Sequence, residues 1–260
     1  MIGDAEQRRY DELRAIVAKL RAPDGCPWDR EQTHASLRPY VIEEAYEVLA
    51  ALDDADLPKL REELGDLLFQ VLIHTQLAEE AGEFTMGDVL QGLADKPVRR
   101  HPHVFGDTRL EGSGQVVAQW DELKKAERAA AAESALAGIP PAQPALSLAQ
   151  ALLRRAASAG FAWPRREDVL AKLTEELDEL ARARTKEEAQ EEFGDILFNL
   201  ANYARYLEID AEEALRGASR KFRARFNAVE QQAQERERPL TELSRDELMR
   251  LWDEAKRGEQ

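Results

Sequence analysis

One carboxylate pattern occurs twice in this chain, and each copy calls for a pair of neighbouring helices. Glu43-Glu44-x-x-Glu47 is followed by Glu63-x-x-Asp66, and Glu175-Glu176-x-x-Glu179 by Glu192-x-x-Asp195. Spacings of three and four bring side chains to one face of an α-helix. The copies keep register. Glu44 and Glu47 precede Glu176 and Glu179 by 132 residues, Glu63 and Asp66 precede Glu192 and Asp195 by 129, and Lys96 and Arg100 precede Lys221 and Arg225 by 125. Trp120 and Lys124 precede Trp252 and Lys256 by 132. Even the lead-in repeats, as Gly25-Cys-Pro-Trp28 and Gly160-Phe-Ala-Trp163. An offset that drifts by a few residues is what loop insertions leave in a duplicated module.

Ala, Leu, Glu and Arg dominate the chain, and they are strong helix formers, while strand-favouring runs are nearly absent. The spacing predicts helices at about 5–21, 35–53, 56–81, 86–100 and 114–128 in the first half. In the second half it predicts 146–158, 167–183, 186–207, 211–235 and 244–257. Short connections between such helices suit an antiparallel bundle. The expected fold is therefore all-α, a tandem repeat of one antiparallel helical-bundle module. Three prolines within 140–144 break any helix there. The expected domains are 1–130 and 146–260, joined by a linker at 131–145.

Helical geometry groups the acids. Leu170, Leu173, Leu177 and Leu180 form one apolar stripe, with Glu176 about 60° and Glu179 about 120° from it at 100° per residue. Val41, Ala45, Val48 and Leu52 do the same beside Glu44 and Glu47. On the next helix Phe193, Ile196, Leu197 and Leu200 form the stripe, and Glu192, Asp195 and Asn199 run along its flank. The first-half flank is Glu63, Asp66 and Gln70. Packed side by side, each helix pair gathers four carboxylates. Each like-charge pair at ~4 Å costs about 1 kcal/mol in water and about 4 kcal/mol at an effective dielectric near 20. Mg²⁺ would relieve that repulsion, with Mn²⁺ as a substitute, since both are hard cations that prefer oxygen ligands. A single E-E-x-x-E is ordinarily a solvated helix face; its recurrence at matching angles, each time with a paired E-x-x-D, favours a metal site. Di-iron bundles expect Glu-x-x-His and zinc expects His or Cys. All four histidines lie in the first half, so neither reading suits both copies.

Lys221 and Arg225 share a helix face, as do Trp252 and Lys256. With a metal, such cations suit an oligophosphate, and an aromatic beside them suits a nucleotide. Pairing with surface acids, and a tryptophan closing a small core, are the plain alternatives. No glycine-rich phosphate loop and no nucleophile–base arrangement occurs, and His101-Pro-His103 reads mainly as a helix stop. The net charge of -15 disfavours nucleic acid as a partner. No membrane span is expected, and the lone Cys26 fits a reducing compartment, hence a cytoplasmic location.

Cys26-Pro-Trp-Asp29, the two acid sets, Arg99-Arg-His-Pro-His-Val-Phe105, Gly160-Phe-Ala-Trp163, Lys221 to Arg225, and Trp252 together resemble the MazG family over nearly the whole chain. That resemblance implies the all-α NTP pyrophosphatase fold, a homodimer, and Mg²⁺-dependent cleavage of nucleoside triphosphates to monophosphates and pyrophosphate. It implies Glu176, Glu179, Glu192 and Asp195 as metal ligands and Lys221, Arg225, Trp252 and Lys256 as nucleotide contacts, with Lys172 and Glu175 lining the pocket. Glu175 is the proposed proton acceptor. The corresponding first-half sets are Glu44, Glu47, Glu63 and Asp66 for metal, and Lys96, Arg100, Trp120 and Lys124 for nucleotide. Pro97 directly follows Lys96 and is expected to disturb the helix that aims Lys96 and Arg100. The competing expectations are a non-catalytic nucleotide-binding or dimerisation protein with decayed sites, and a structural helical protein with solvated acids.

Overall fold

The computed structural model describes residues 3–130 and 134–258, with the side chains of Asp121, Lys124 and residues 127–130 outside the described set. The described residues form twelve α-helices and one 3-10 turn, with no strand among them. The chain divides into two compact units, Met1–Gly112 and Ser113–Gln260. The division falls upstream of the expected linker. Residues 140–144 lie within the second unit, where Pro144 caps the N-terminus of the next helix.

The first unit contains α1 (Asp4–Arg21), α2 (Pro27–Glu31), α3 (His34–Asp53), α4 (Leu57–Ala81), α5 (Met86–Arg100) and α6 (Pro102–Phe105). Thr33, Asp56 and Thr85 cap α3, α4 and α5 through side-chain oxygens that accept backbone N–H groups. Gly25 admits no Cβ, because one built there would lie 2.3 Å from the carbonyl oxygens of Lys19 and Leu20. The chain can therefore fold back tightly from α1 into α2. Val17, Leu37, Leu72, Ile73 and Met86 make the core, drawn from α1, α3, α4 and α5. Pro97 lies inside α5 without ending it.

The second unit contains α7 (Ser113–Ala130), α8 (Ala145–Ser158), α9 (Arg166–Arg182), α10 (Lys186–Tyr206), α11 (Ala211–Glu235), the 3-10 turn Leu240–Glu242 and α12 (Arg245–Arg257). Val229, Ala233, Leu243, Leu251 and Ala255 form a core between α11 and α12. Gln150 on α8 is 2% exposed and ties the α10–α11 corner. Its Nε2 donates to the carbonyls of Ala201 at 3.3 Å and Ile209 at 2.9 Å, and its Oε1 accepts from Ala211 N at 3.0 Å. Gln150→Leu strands these backbone groups and should lower stability by about 1–3 kcal/mol, read from urea unfolding.

Glu247 anchors the start of α12. It accepts from Ser244 and from Arg238 Nη1 at 2.6 Å, and Ser244 bonds first with a hydroxyl and then with a backbone N–H. These bonds hold its carboxyl well below the ordinary 4.5, at about 2. A depressed carboxyl adds stability above its unfolded value and loses it as pH falls through the folded one. The stability gap between the parent and Glu247→Gln should therefore shrink as pH falls from about 5 to about 2, followed by thermal melting.

The expected apolar stripes are only partly internal. Ile196 is buried and Leu173 and Leu180 are half-buried, but Leu170, Leu177, Phe193, Leu197 and Leu200 are exposed. In the first unit Val41, Ala45 and Val48 are half-buried, while Leu52 is 54% exposed. The α9–α10 and α3–α4 pairs pack closely together, so each helix turns only its inner edge inward. The rest of each stripe is exposed.

Candidate active site

In the second unit the acids come from α9 and α10, which a three-residue connection at 183–185 turns antiparallel. Thr185 accepts from Glu188 N at 3.1 Å and starts α10. Glu176, Glu179 and Glu192 place carboxylate oxygens within 4.8 Å of one another. Glu176 is only 4% exposed, and the other two are half-buried. Asp195, expected with them, is exposed and outside that triad, though its charge still acts on Glu192. In the first unit Glu44, Glu63 and Asp66 make the matching triad, again within 4.8 Å. There Glu63 is the buried member, and Glu47 stands outside the triad while still bonded to Glu63.

Crowded negative charge marks both sites. The Glu192 carboxyl is pushed up, first by burial and then by the charges of Glu179 and Glu176. Glu44 is pushed up by burial and then by Asp66, Glu47 and Glu43, against a hydrogen bond from Gln70. Burial also raises Glu63, followed by its hydrogen bond and charge interaction with Glu47. Three carboxylates with oxygens within 4.8 Å of one another, and oxygen as the sole donor type, fit a hard divalent cation. Lysines answer part of the charge. Lys172 Nζ lies 3.0 Å from Glu176 and 3.1 Å from Glu175, and those two acids raise its pKa. Lys59 Nζ lies 3.7 Å from Glu63.

Two supporting amides were not among the expected site residues. Asn199 Nδ2 donates to Glu176 at 3.5 Å and to the Asp195 carbonyl at 3.0 Å. Gln70 holds Glu44 in the same manner. Both lie one helical turn beyond the E-x-x-D aspartate, so the flank spacing was the available signal.

The cation and aromatic residues sit on α11 and α12. The Arg225 guanidinium carbon lies 5.9 Å from the centre of the Trp252 ring, and Phe222 packs 5.3 Å from that ring. Lys221 is exposed on α11. Lys256 is exposed and turns to Asp253 at 3.6 Å. Glu175 is exposed, with Lys172 as its partner. In the first unit Lys96 is exposed and Arg100 half-buried on α5. Trp120 and Lys124 fall on α7, in the second unit, and the Lys124 side chain lies outside the described residues.

The MazG nucleotide pyrophosphohydrolase domain profile matches residues 32–105 and 165–230, stretches that carry both acid triads. The chain is 44% identical to the nucleoside triphosphate pyrophosphohydrolase/pyrophosphatase MazG of Thermotoga maritima, over 96% of this chain and 97% of that protein. It is also 44% identical to the nucleoside triphosphate pyrophosphohydrolase of Escherichia coli strain K12, over 96% of this chain and 98% of that one. The Mycobacterium tuberculosis protein of that name is 43% identical over 62% of this chain and half of its own length. With two carboxylate triads on duplicated helix pairs and likeness along nearly its full length, the chain belongs to the MazG nucleotide pyrophosphohydrolase family, a family of hydrolases.

Proposed function

We propose that this chain hydrolyses nucleoside triphosphates and their deoxy forms to the monophosphate and pyrophosphate, using Mg²⁺, with Mn²⁺ able to replace it. The observation that carries this reading is the triad of Glu176, Glu179 and Glu192, whose oxygens converge within 4.8 Å. Glu176, Glu179 and Glu192 would hold the ion, with Asp195 completing the set from the exposed rim. When bound, such an ion lowers the pKa of a water and neutralises charge that develops on the leaving pyrophosphate. The chain's own groups do the rest. Asn199 and Lys172 fix the Glu176 carboxylate, so the triad is oriented before substrate arrives. Glu175 lies outside the triad and is the candidate acceptor for the proton of the attacking water. Lys221 and Arg225 supply positive charge for phosphate oxygens, and Trp252 holds the Arg225 guanidinium in place. Lys256, at the exposed end of α12, is a further nucleotide contact.

The first unit repeats the triad with Glu44, Glu63 and Asp66, and we place a second metal site there. Lys96 and Arg100 on α5 are its phosphate-binding candidates.

We also propose a homodimer. The exposed apolar residues on α10, Phe193, Leu197 and Leu200, recur at the same offset on α4 as Leu64, Leu68 and Val71, each between 40% and 54% exposed. Leu170 and Leu177 on α9 extend the same surface. A stripe of large apolar side chains kept in both copies of a duplicated module marks a contact surface. Among the described residues no helix is long and apolar enough to cross a membrane. The lone cysteine, Cys26, fits the reducing cytoplasm, where we place the protein.

Product analysis tests the reading. With Mg²⁺ and any nucleoside triphosphate, ³¹P spectra should show monophosphate and pyrophosphate in equal amounts. Appearance of the diphosphate and single phosphate would assign cleavage to the wrong bond.

A further inference from the structure

Two histidines that the hydrolytic reading does not use meet in the first unit. His34 is the first residue of α3, and His74 lies on α4. Their Nδ1 atoms are 2.7 Å apart. The ring centres are 5.0 Å apart and the planes differ by 9°, so the two nitrogens face each other almost head-on. At this spacing one Nδ1 carries a proton and the other accepts it. Asp66, the triad member closest in sequence to His74, precedes it by eight residues, which is about 12 Å of helix. The pair therefore stands apart from the carboxylates.

Two ring nitrogens aimed at one point are also a pair of metal ligands. With bonds of about 2.0–2.1 Å, two nitrogens on one ion stand about 2.9 Å apart at a right angle and about 3.3 Å apart at a tetrahedral angle. The observed 2.7 Å is nearer the right-angled pair, which suits Ni²⁺ or Cu²⁺ better than Zn²⁺. His34 is exposed, so its ring has room to swing by a few tenths of an ångström and turn its lone pair onto an ion. His74 is half-buried, and burial, followed by the neighbouring His34, holds it below its ordinary 6.5. It is therefore neutral at neutral pH, the form that binds a metal. Entry of the ion balances without a net change of protons: the ring that held Nδ1–H releases that proton to water and takes one from water at Nε2. Among the described residues no third His, Cys, Asp or Glu joins the pair, so water completes the coordination.

The duplication shows that helix packing does not require histidine here. At the offsets of 132 and 129 residues that relate the two copies, His34 and His74 correspond to Arg166 and Tyr203. Tyr203 still acts electrostatically on Arg166, so the same corner of the second unit is also a meeting of two polar side chains. A guanidinium beside a phenol offers an ion no pair of nitrogen ligands. We propose that His34 and His74 form a binding site for a borderline divalent transition ion, Ni²⁺ or Cu²⁺ ahead of Zn²⁺, that bridges α3 and α4 of the first unit. The oxygen-only triads suit Mg²⁺ and the imidazole pair suits softer ions, so the two kinds of site sort metals by class.

The test titrates the untagged full chain with Ni²⁺ by calorimetry, with Mg²⁺ in large excess to occupy the carboxylates. One Ni²⁺ should bind per chain at micromolar concentration. His34→Ala and His74→Ala should each weaken that binding by more than about tenfold, the lower end of what losing even a supporting partner costs a metal site. His34→Gln, which keeps a hydrogen-bonding side chain without the imidazole, should weaken it equally, and circular dichroism establishes that each variant folds. With Zn²⁺ as a diamagnetic substitute, the Nδ1 resonances of His34 and His74 should move in ¹H–¹⁵N spectra while those of His101 and His103 stay in place. A parent chain that binds no Ni²⁺ overturns the proposal. So does parent affinity in the folded His34 and His74 variants, or loss of affinity in His101→Ala/His103→Ala in their stead.

Discussion

Glu176→Ala should lower kcat/KM for nucleoside triphosphate hydrolysis at the second-unit site by more than about 100-fold, the equivalent of several kcal/mol of lost transition-state stabilisation. Glu176 is the deepest member of the triad and the point where Lys172 and Asn199 converge. Its loss removes a proposed metal ligand and frees the two groups that orient it. The helical fold should persist, because removing one of three mutually repelling carboxylates relieves as much as it disrupts, and Lys172 retains Glu175. Any activity left by the first unit is separated by adding Glu63→Ala, which removes the buried acid of that triad. The measurement is steady-state pyrophosphate release by both variants, with circular dichroism to establish that they fold. A doubly substituted chain that still turned over at the parent rate would remove metal-assisted hydrolysis at these triads from consideration.

Leu197→Glu should convert the proposed homodimer to single chains at micromolar concentration. Leu197 is central to the exposed stripe on α10, flanked by Phe193 and Leu200 on the same helix face. A charge there would have to be buried against an apolar partner surface, a cost typical of interface centres at about 2–4 kcal/mol, or a dissociation constant raised about 30- to 1,000-fold. Sedimentation equilibrium reads the change directly, and a melting curve of the variant separates interface loss from unfolding. A parent chain that sediments as a single copy at high micromolar concentration would show that the stripe serves some other surface.

Both expectations trace to different parts of the sequence pattern. Long helices were legible because apolar residues recurred at helical spacing and caps marked their ends. The expected helix at 35–53 is α3 at His34–Asp53, and that at 211–235 is α11 at the same bounds. The helices α2 and α6 and the 3-10 turn Leu240–Glu242 are five residues or shorter, too brief for periodicity to register. Proline at the first position of α2 and of α6 was their only local signature. Pro97 carried the opposite lesson. A helix breaker by local rule, it is held within α5, whose apolar face packs on the first-unit core through Met86 and Val89.

The acid pairs were legible for a geometric reason. Three- and four-residue spacings set the angle of each carboxylate about its helix, and a short connection obliges the next helix to run back alongside. The membership of each triad was not legible. Whether Asp195 or Glu179 turns inward depends on the rotation and separation of two packed helices, which sequence spacing leaves open by tens of degrees. The structure takes Glu179 in the second unit and Asp66 in the first, so the two copies choose differently within one motif.

The sequence by itself determined a duplicated all-α module with paired carboxylates on adjacent helices, because helical period and charge repulsion are local properties of the chain. Only the tertiary structure decided which acids converge and that part of each apolar stripe is left facing outward. The meeting of His34 with His74 likewise became visible only there. Each of these depends on distances between helices, and those are set by how side chains from distant parts of the chain fill shared space.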